Sequence, residues 1–296
     1  MTINTLRHKV NLTIQRAEHM GMCFGVRDAI ALAQREAAEA PLTVLGELVH
    51  NTTVLGDLAR RGVYFEDQPE RVTTGAAMIT AHGASDQARD RARAAGLQLR
   101  DATCPLVHQA HRQLRELVTA GYHPVIIGRA GHVEVRGMTE DLKTFDVVLS
   151  PDDVRRLTAR YRWGVVAQTT QPIERVRALV GLMREEFPNA EIRFIDTVCQ
   201  PTKQRQSAAE ALGRRCDVVI VVGGANSNNT RELARTCGRF CESVYHVQGP
   251  DEVCAEWLPW GGRVGLTAGT STPELLIDAV ERRITDLAEH REQEVA

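Results

Sequence analysis

LQLRDATCPLVHQAHRQLRELVTAGYHPVIIG, residues 97–128, carries the pattern from which the rest of the chain is built. Its start, 97–102, reads as a strand that runs into Asp101-Ala-Thr-Cys104. Val107, Ala110, Leu114, Leu117 and Val118 then recur at helical spacing. Residues 124–128 follow as a short apolar strand closed by Gly128. Strand, cysteine, helix and second strand, in that order, describe an α/β unit.

The same succession occurs twice more along the chain. Strand-like runs lead into Cys23 and, through Asp196-Thr-Val-Cys199, into the third site. From Cys23 to Gly46, Cys104 to Gly128 and Cys199 to Gly223 the separations are 23, 24 and 24 residues. A polar loop follows each glycine: Glu47-Leu-Val-His50-Asn51, Arg129-Ala-Gly-His132-Val-Glu134 and Gly224-Ala-Asn-Ser227-Asn228-Asn229. A third match is Pro69-Glu-Arg-Val72, Pro151-Asp-Asp-Val154 and Pro250-Asp-Glu-Val253. Each leads to an apolar strand with a small polar tip: Ala81-His82-Gly83, Ala167-Gln168-Thr169-Thr170 and Ala268-Gly269-Thr270-Ser271. The repeat predicts three pseudo-symmetric α/β units with small, mainly parallel sheets, over residues 11–98, 99–193 and 194–288. In open α/β sheets ligands bind beyond the carboxyl ends of the strands, where every repeated polar position falls. Three such units facing one another bring one cysteine from each to a central point.

The bulk numbers agree with an ordinary soluble globular protein. The chain has 296 residues, 43% hydrophobic and 25% charged, with a net charge of −2. That balance argues against nucleic acid as the main partner, because a phosphate backbone demands a basic face. No signal-like apolar region opens the sequence, and the longest apolar run, 218–222, is too short to span a bilayer. The seven cysteines are odd in number and show no paired spacing, which favours free thiols or metal ligands in a cytoplasmic protein.

Zinc sites recruit close ligand pairs, whereas these three cysteines lie 81 and 95 residues apart. An electron-transfer iron–sulfur cluster takes four cysteines. Three thiolates, from Cys23, Cys104 and Cys199, on a [4Fe-4S] cluster leave one iron open for chemistry. A cysteine opening a helix also feels the positive end of the dipole, which is expected to lower its pKa. Cys216, Cys237, Cys241 and Cys254 have no counterparts in the other units and read as packing or incidentally exposed residues.

His50, His82, His132, Glu134, Thr169, Ser227, Asn228, Asn229 and Ser271 are brought towards the same place. The set suits an anionic, oxygen-rich ligand. Ser227, Asn228 and Asn229 equally suit a helix cap, which uses the same orphan N–H groups. None of the three lysines follows a glycine-rich loop, so no Walker A site is present. Glu134 is the only acid in this candidate set, and desolvation there would raise its pKa and let it donate a proton. His8, His19, His108, His111, His123 and His246 lack repeat counterparts and read as surface or structural.

With these residues in place the chain resembles the 4-hydroxy-3-methylbut-2-enyl diphosphate reductase (LytB-type) family, over nearly its whole length. The matching segments are Gly21-Met-Cys23-Phe-Gly-Val26, Glu47-Leu-Val-His50-Asn51, Ala81-His82-Gly83, Asp101-Ala-Thr-Cys104-Pro-Leu-Val107 and Gly131-His132-Val-Glu134-Val135. Gln168-Thr169-Thr170, Asp196-Thr-Val-Cys199, Asn226-Ser227-Asn228-Asn229-Thr230 and Ala268-Gly-Thr-Ser271 complete the set. The resemblance implies reductive dehydroxylation of an allylic diphosphate to isopentenyl and dimethylallyl diphosphate, the last step of the non-mevalonate isoprenoid pathway. It implies Cys23, Cys104 and Cys199 as ligands of the [4Fe-4S] cluster, and His50, His82, His132, Ser227, Asn228, Asn229 and Ser271 as the diphosphate site. It implies Glu134 as proton donor, with His132 and Thr169 completing the catalytic group, and a ferredoxin- or flavodoxin-type electron donor. Met22 stands where the family usually has an aromatic, and Val133 where it usually has proline. Alternatives are a divergent LytB-type paralogue and a non-enzymatic iron–sulfur redox sensor; the sensor leaves Glu134 and the phosphate-seeking polar ring unexplained. About ten residues at the N-terminus read as an extra loose arm.

Overall fold

Strands rich in valine and isoleucine, each followed by a helix with one apolar face, set the architecture. The computed structural model describes residues 12–294, so the N-terminal arm lies outside the described residues. The chain begins β1 (Leu12–Arg16), α1 (Phe24–Glu39), β2 (Leu42–Leu45), α2 (Thr52–Arg60), β3 (Val63–Glu66), β4 (Ala76–Ile79) and α3 (Asp86–Ala94). It continues β5 (Gln98–Asp101), α4 (Pro105–Thr119), β6 (His123–Ile127), α5 (Val133–Thr139), β7 (Asp146–Val148), α6 (Pro151–Arg155), β8 (Arg162–Ala167) and α7 (Ile173–Glu186). The last part is β9 (Glu191–Phe194), α8 (Gln200–Gly213), β10 (Val218–Val222), α9 (Asn228–Gly238), β11 (Ser243–Val247), β12 (Gly262–Ala268) and α10 (Glu274–Glu294).

These strands form three small parallel sheets, ordered β3-β2-β4-β5, β7-β6-β8-β9 and β1-β12-β10-β11. Every residue of β10 is buried, as expected of a parallel strand covered on both faces. In α4 the predicted stripe is buried at Val107, Ala110, Leu114 and Leu117, the last three against Ile126 and Val166, and half-buried at Val118. The opposite face of that sheet packs Trp163, Val165, Val176 and Met183.

Sheet membership regroups two of the strands. β1, at the start of the predicted 11–98 unit, pairs with β12, with Leu12 beside Gly262. β5, nearly all within the 99–193 range, pairs with β4. The repeat is phased on the cysteines, whereas backbone pairing sets β1 and β5 on the free edges of β12 and β4. β4 offers such an edge to the strand that follows α3, and β12 offers one to the chain's first strand. The fourth strand of each sheet is therefore the one that leads into a cysteine.

The contacts divide the chain into two units. Cys23–Lys203 holds the sheets of β2 to β5 and β6 to β9; Met1–Met22 with Gln204–Ala296 holds the third sheet. In the second of these, Val218, Ile220, Val264 and Leu266 pack against Ile277, Val280 and Ile284 of α10. Arg16 adds ion pairs to Glu274, Asp278 and Glu281 on the same helix. No helix among the described residues is long and apolar enough to cross a membrane.

Deleting the chain through Arg16 removes β1 and bares the edge of β12. Amide hydrogen exchange should then accelerate at Val264 and Leu266 while β6 and β8 keep their protection. Acceleration confined to β2–β5 instead would contradict the pairing.

Candidate active site

In the unit Cys23–Lys203 three free, half-buried thiols stand at helix starts. Cys23 and Cys104 are the N-caps of α1 and α4, and Cys199 immediately precedes α8. Their carbonyls accept from the amides of Arg27, His108 and Lys203, four residues on, at 3.0, 3.0 and 3.2 Å. The sulfurs share one electrostatic environment, since Cys23 and Glu134 both act on Cys104 and on Cys199. Gly25, in the first turn of α1, makes room for one of them: a Cβ there would lie 2.5 Å from Cys104 Sγ.

The lowered thiol pKa expected from the helix starts is not what the geometry gives. Burial raises Cys104 and pushes Cys199 up to about 11. Amides of Leu106 and Val107 oppose the rise at Cys104, and the Thr202 hydroxyl, 3.1 Å from Cys199 Sγ, opposes it at Cys199. A dipole at a helix end is worth at most about 2 kcal/mol, and here the loss of water outweighs it. Both thiols therefore hold their protons until a metal displaces them.

Three imidazoles from two sheets meet face and edge. The rings of His50 and His82 stack at 4.9 Å, and His132 meets them edge-on at 5.6 and 5.7 Å. Each sits just beyond the carboxyl end of a strand: β2 for His50, β4 for His82, β6 for His132. His132 is also the N-cap of α5, its Nδ1 accepting from the Glu134 amide at 3.2 Å. Enclosure of the His82 ring, and the two neighbouring imidazoles, hold its pKa well below the usual value. The His82 ring is thus reluctant to be cationic by itself, and an anion seated beside it would oppose that shift.

Glu134, in the first turn of α5, is 1% exposed. Its Oε1 accepts from the Thr169 amide at 2.6 Å, and its Oε2 from the Thr169 hydroxyl at 3.1 Å. Burial pushes its pKa up to about 7 against the opposing pull of those two donors. Gln168, fully buried beside them, fixes the tip of β8: its Oε1 accepts from the Arg129 amide at 3.1 Å and from Gln171 Nε2 at 3.1 Å.

The unit containing Gln204–Ala296 gathers the other polar candidates at the ends of β10 and β12. Ser227 caps α9, accepting from the Thr230 amide at 3.2 Å. Asn228 and Asn229 follow in its first turn, and Ser271 sits in the tip after β12; all four are buried. Asn229 Oδ1 accepts from the Thr270 amide at 3.0 Å and so ties the two loops together, while its Nδ2 has no hydrogen-bond partner. Buried amide donors left unmatched are costly, and an acceptor-rich ligand would satisfy this one.

Cys216, Cys237 and Cys241 belong to the core with Ala209, Leu212 and Leu233; Cys254 is exposed. Three contributors escaped the sequence reading. Thr202 left a faint signal, a hydroxyl three residues beyond a cysteine at a helix start. Gly25 and Gln168 lie in segments that match the family, but their roles are set by contacts across the fold that those segments do not reveal.

A buried acid titrating near neutrality within electrostatic reach of Cys104 and Cys199 marks an α/β enzyme built to move protons, since such shifts concentrate where chemistry is done. The sequence profile of the LytB protein family matches residues 14–285. The 4-hydroxy-3-methylbut-2-enyl diphosphate reductase 2 of Burkholderia mallei is 36% identical over 277 residues, covering 92% of this chain and 85% of that protein. Two solved structures share the fold. The E-1-hydroxy-2-methyl-but-2-enyl-4-diphosphate reductase from Plasmodium falciparum superposes with a TM-score of 0.87 at 27% identity, over 93% of this chain and 88% of that one. The (E)-4-hydroxy-3-methyl-but-2-enyl diphosphate reductase, described as the terminal enzyme of the non-mevalonate pathway, gives 0.67 at 35% identity, over 92% and 99%. The chain belongs to the LytB protein family.

The raised pKa of Glu134 gives a direct test. Infrared difference spectra should show a carboxyl that titrates near pH 7 and disappears in Glu134→Gln, and Thr169→Val should move it higher by removing a donor to the carboxylate. The linked stability has a fixed sign. The folded value, about 7, exceeds the ordinary 4.5, so the contribution is full below pH 4.5 and is lost as pH rises through 7. Titration of Glu134 near pH 4.5 would contradict the burial argument.

Proposed function

We propose that this chain reduces 4-hydroxy-3-methylbut-2-enyl diphosphate to isopentenyl and dimethylallyl diphosphate, the last step of the non-mevalonate isoprenoid pathway. The observation that carries the reading is Glu134, a buried acid with its pKa near 7, set among three thiols and three imidazoles. In the reaction a C–O bond breaks and a C–H bond forms, with two electrons and two protons consumed and water released. The proton inventory calls for an acid that is still protonated at neutral pH, which an ordinary exposed glutamate is not.

Cys23, Cys104 and Cys199 are the donors proposed for a [4Fe-4S] cluster. Their chemistry fits it: soft sulfur donors from three separate helix starts, with a glycine in place of any side chain against Cys104 Sγ. Such a cluster, with one iron left without a protein ligand, supplies the electrons and a Lewis-acidic position for the substrate oxygen. No three His, Cys, Asp or Glu groups among the described residues are placed to hold a single metal ion.

The protein's own part is binding and proton delivery. His50, His82 and His132, with Ser227, Asn228, Asn229 and Ser271, are assigned to the diphosphate, whose charge would favour protonation of the buried His82 imidazole. Glu134 donates to the departing hydroxyl. Thr169 holds the Glu134 carboxyl through its amide and hydroxyl, and completes a relay from that acid to the substrate. The same reading takes the electrons from a ferredoxin- or flavodoxin-type carrier in the cytoplasm.

The test is anaerobic turnover of the allylic diphosphate with a chemical reductant. Wild-type protein should release both products, and the rate should fall as pH rises above 7 and Glu134 ionises. Glu134→Gln should keep its iron and lose turnover by on the order of a hundredfold or more, the range typical of a lost general acid. Iron-loaded wild-type protein without turnover would refute the reading, and an active Glu134→Gln would remove Glu134 from its role. Gly25→Ala should leave the fold intact but lower the iron retained, because its methyl group meets Cys104 Sγ; full iron content in that variant would contradict the proposed cradle.

A further inference from the structure

His111 was set aside in the sequence as structural, yet it stands between the elements that carry the candidate site. It lies on α4, the helix that Cys104 caps. One edge of its ring faces two glycines, one on the loop after β4 and one in α5. A Cβ added to Gly83, the residue after His82, would lie 3.4 Å from His111 Nε2. A Cβ added to Gly137, in α5, would lie 3.4 Å from His111 Cε1 and equally close to Ala84 Cα. Gly83 has φ +78°, where side chains are disfavoured, and the tip bearing His82 lies close against Thr103, Val107 and the His111 imidazole. Gly137 is one helical turn beyond Glu134 and lies on the short helix that His132 caps.

We propose that His111 is a positioning residue for the diphosphate, a wedge that sets the distance between the His82 tip and the helix carrying His132 and Glu134. The inference rests on the diphosphate reading given above. Three observations support it. The ring touches both elements, and each contact is made where the partner has no side chain. The wedge arrives on the helix that starts at Cys104, so the thiol, the imidazoles and the acid share one frame. The Nε2 atom is buried and has no hydrogen-bond partner. An apolar side chain of similar size would avoid the cost of that orphan nitrogen, so packing alone does not account for an imidazole here. Burial also pushes its pKa down to about 4, so the wedge is neutral at physiological pH and adds no charge of its own to the anion site.

The experiment compares the iron-loaded wild-type protein with His111→Ala, His111→Leu and His111→Gln. Inorganic pyrophosphate binding is read by calorimetry, and KM and kcat are read with the allylic diphosphate. His111→Ala should weaken pyrophosphate binding about tenfold and raise KM to match, with kcat within about twofold, the signature of lost uniform binding. His111→Gln, which returns a polar group near the Nε2 position, should recover to within about threefold of wild type, and His111→Leu should not. Unfolding temperatures check that the variants are folded at the assay temperature. Unchanged pyrophosphate affinity in His111→Ala overturns the proposal alone, as does a fall in kcat at constant KM. Recovery by His111→Leu as full as by His111→Gln overturns the role of the nitrogen. Wild-type protein that binds no pyrophosphate overturns the diphosphate reading and this proposal together.

Discussion

A parallel strand covered on both faces has nowhere to put chemistry except its ends, and this constraint governs the molecule. Val218–Val222 is buried from end to end, and Val125–Ile127 and Val165–Ala167 are buried likewise. Polar groups are therefore expelled to the loops that leave the carboxyl ends, where helix starts supply unmatched N–H donors. His50, His82, His132, Thr169, Ser227 and Ser271 all occupy such loops, and Glu134 follows within the first turn of the next helix. The cysteines occupy them too, each after the edge strand that completes a sheet.

Desolvation then sets the resting charge of the site. Cys104 and Cys199 are pushed towards the thiol, His82 towards neutral imidazole, and Glu134 to the middle of its titration near neutrality. Without ligands these groups carry little charge, and burying little charge is cheap. In the proposed function charge would enter with what binds: a metal group would displace protons from thiols, and a diphosphate would favour proton uptake by the buried imidazole. Glu134 stands apart, because its value suits proton transfer rather than permanent ionisation. The Thr169 amide and hydroxyl temper the rise and leave an acid that can exchange its proton.

Much of this was legible in the sequence, for a physical reason. A repeat of α/β units writes the same polar positions at the same distance from each cysteine, so Cys23, Cys104 and Cys199 and the loop residues could be found by spacing alone. What the repeat could not encode is sheet pairing. Its phase was taken from the cysteines, whereas β1 and β5 pair with the open edges of β12 and β4. The thiol pKa values were misread because a helix start was weighed without the burial around it. Thr202 and Gly25 act on the cysteines, and Gln168 and His111 on the loops, through contacts that no local pattern announces.

The central claim is that three cysteines at equivalent repeat positions hold one polynuclear group. Native mass spectrometry of anaerobically isolated protein tests it most directly. The account predicts a mass increment of four irons and four sulfides, lost on replacing Cys23, Cys104 or Cys199 by serine and kept on replacing Cys216, Cys237, Cys241 or Cys254. A protein carrying a single metal ion, or one that keeps the increment without Cys104, would contradict it.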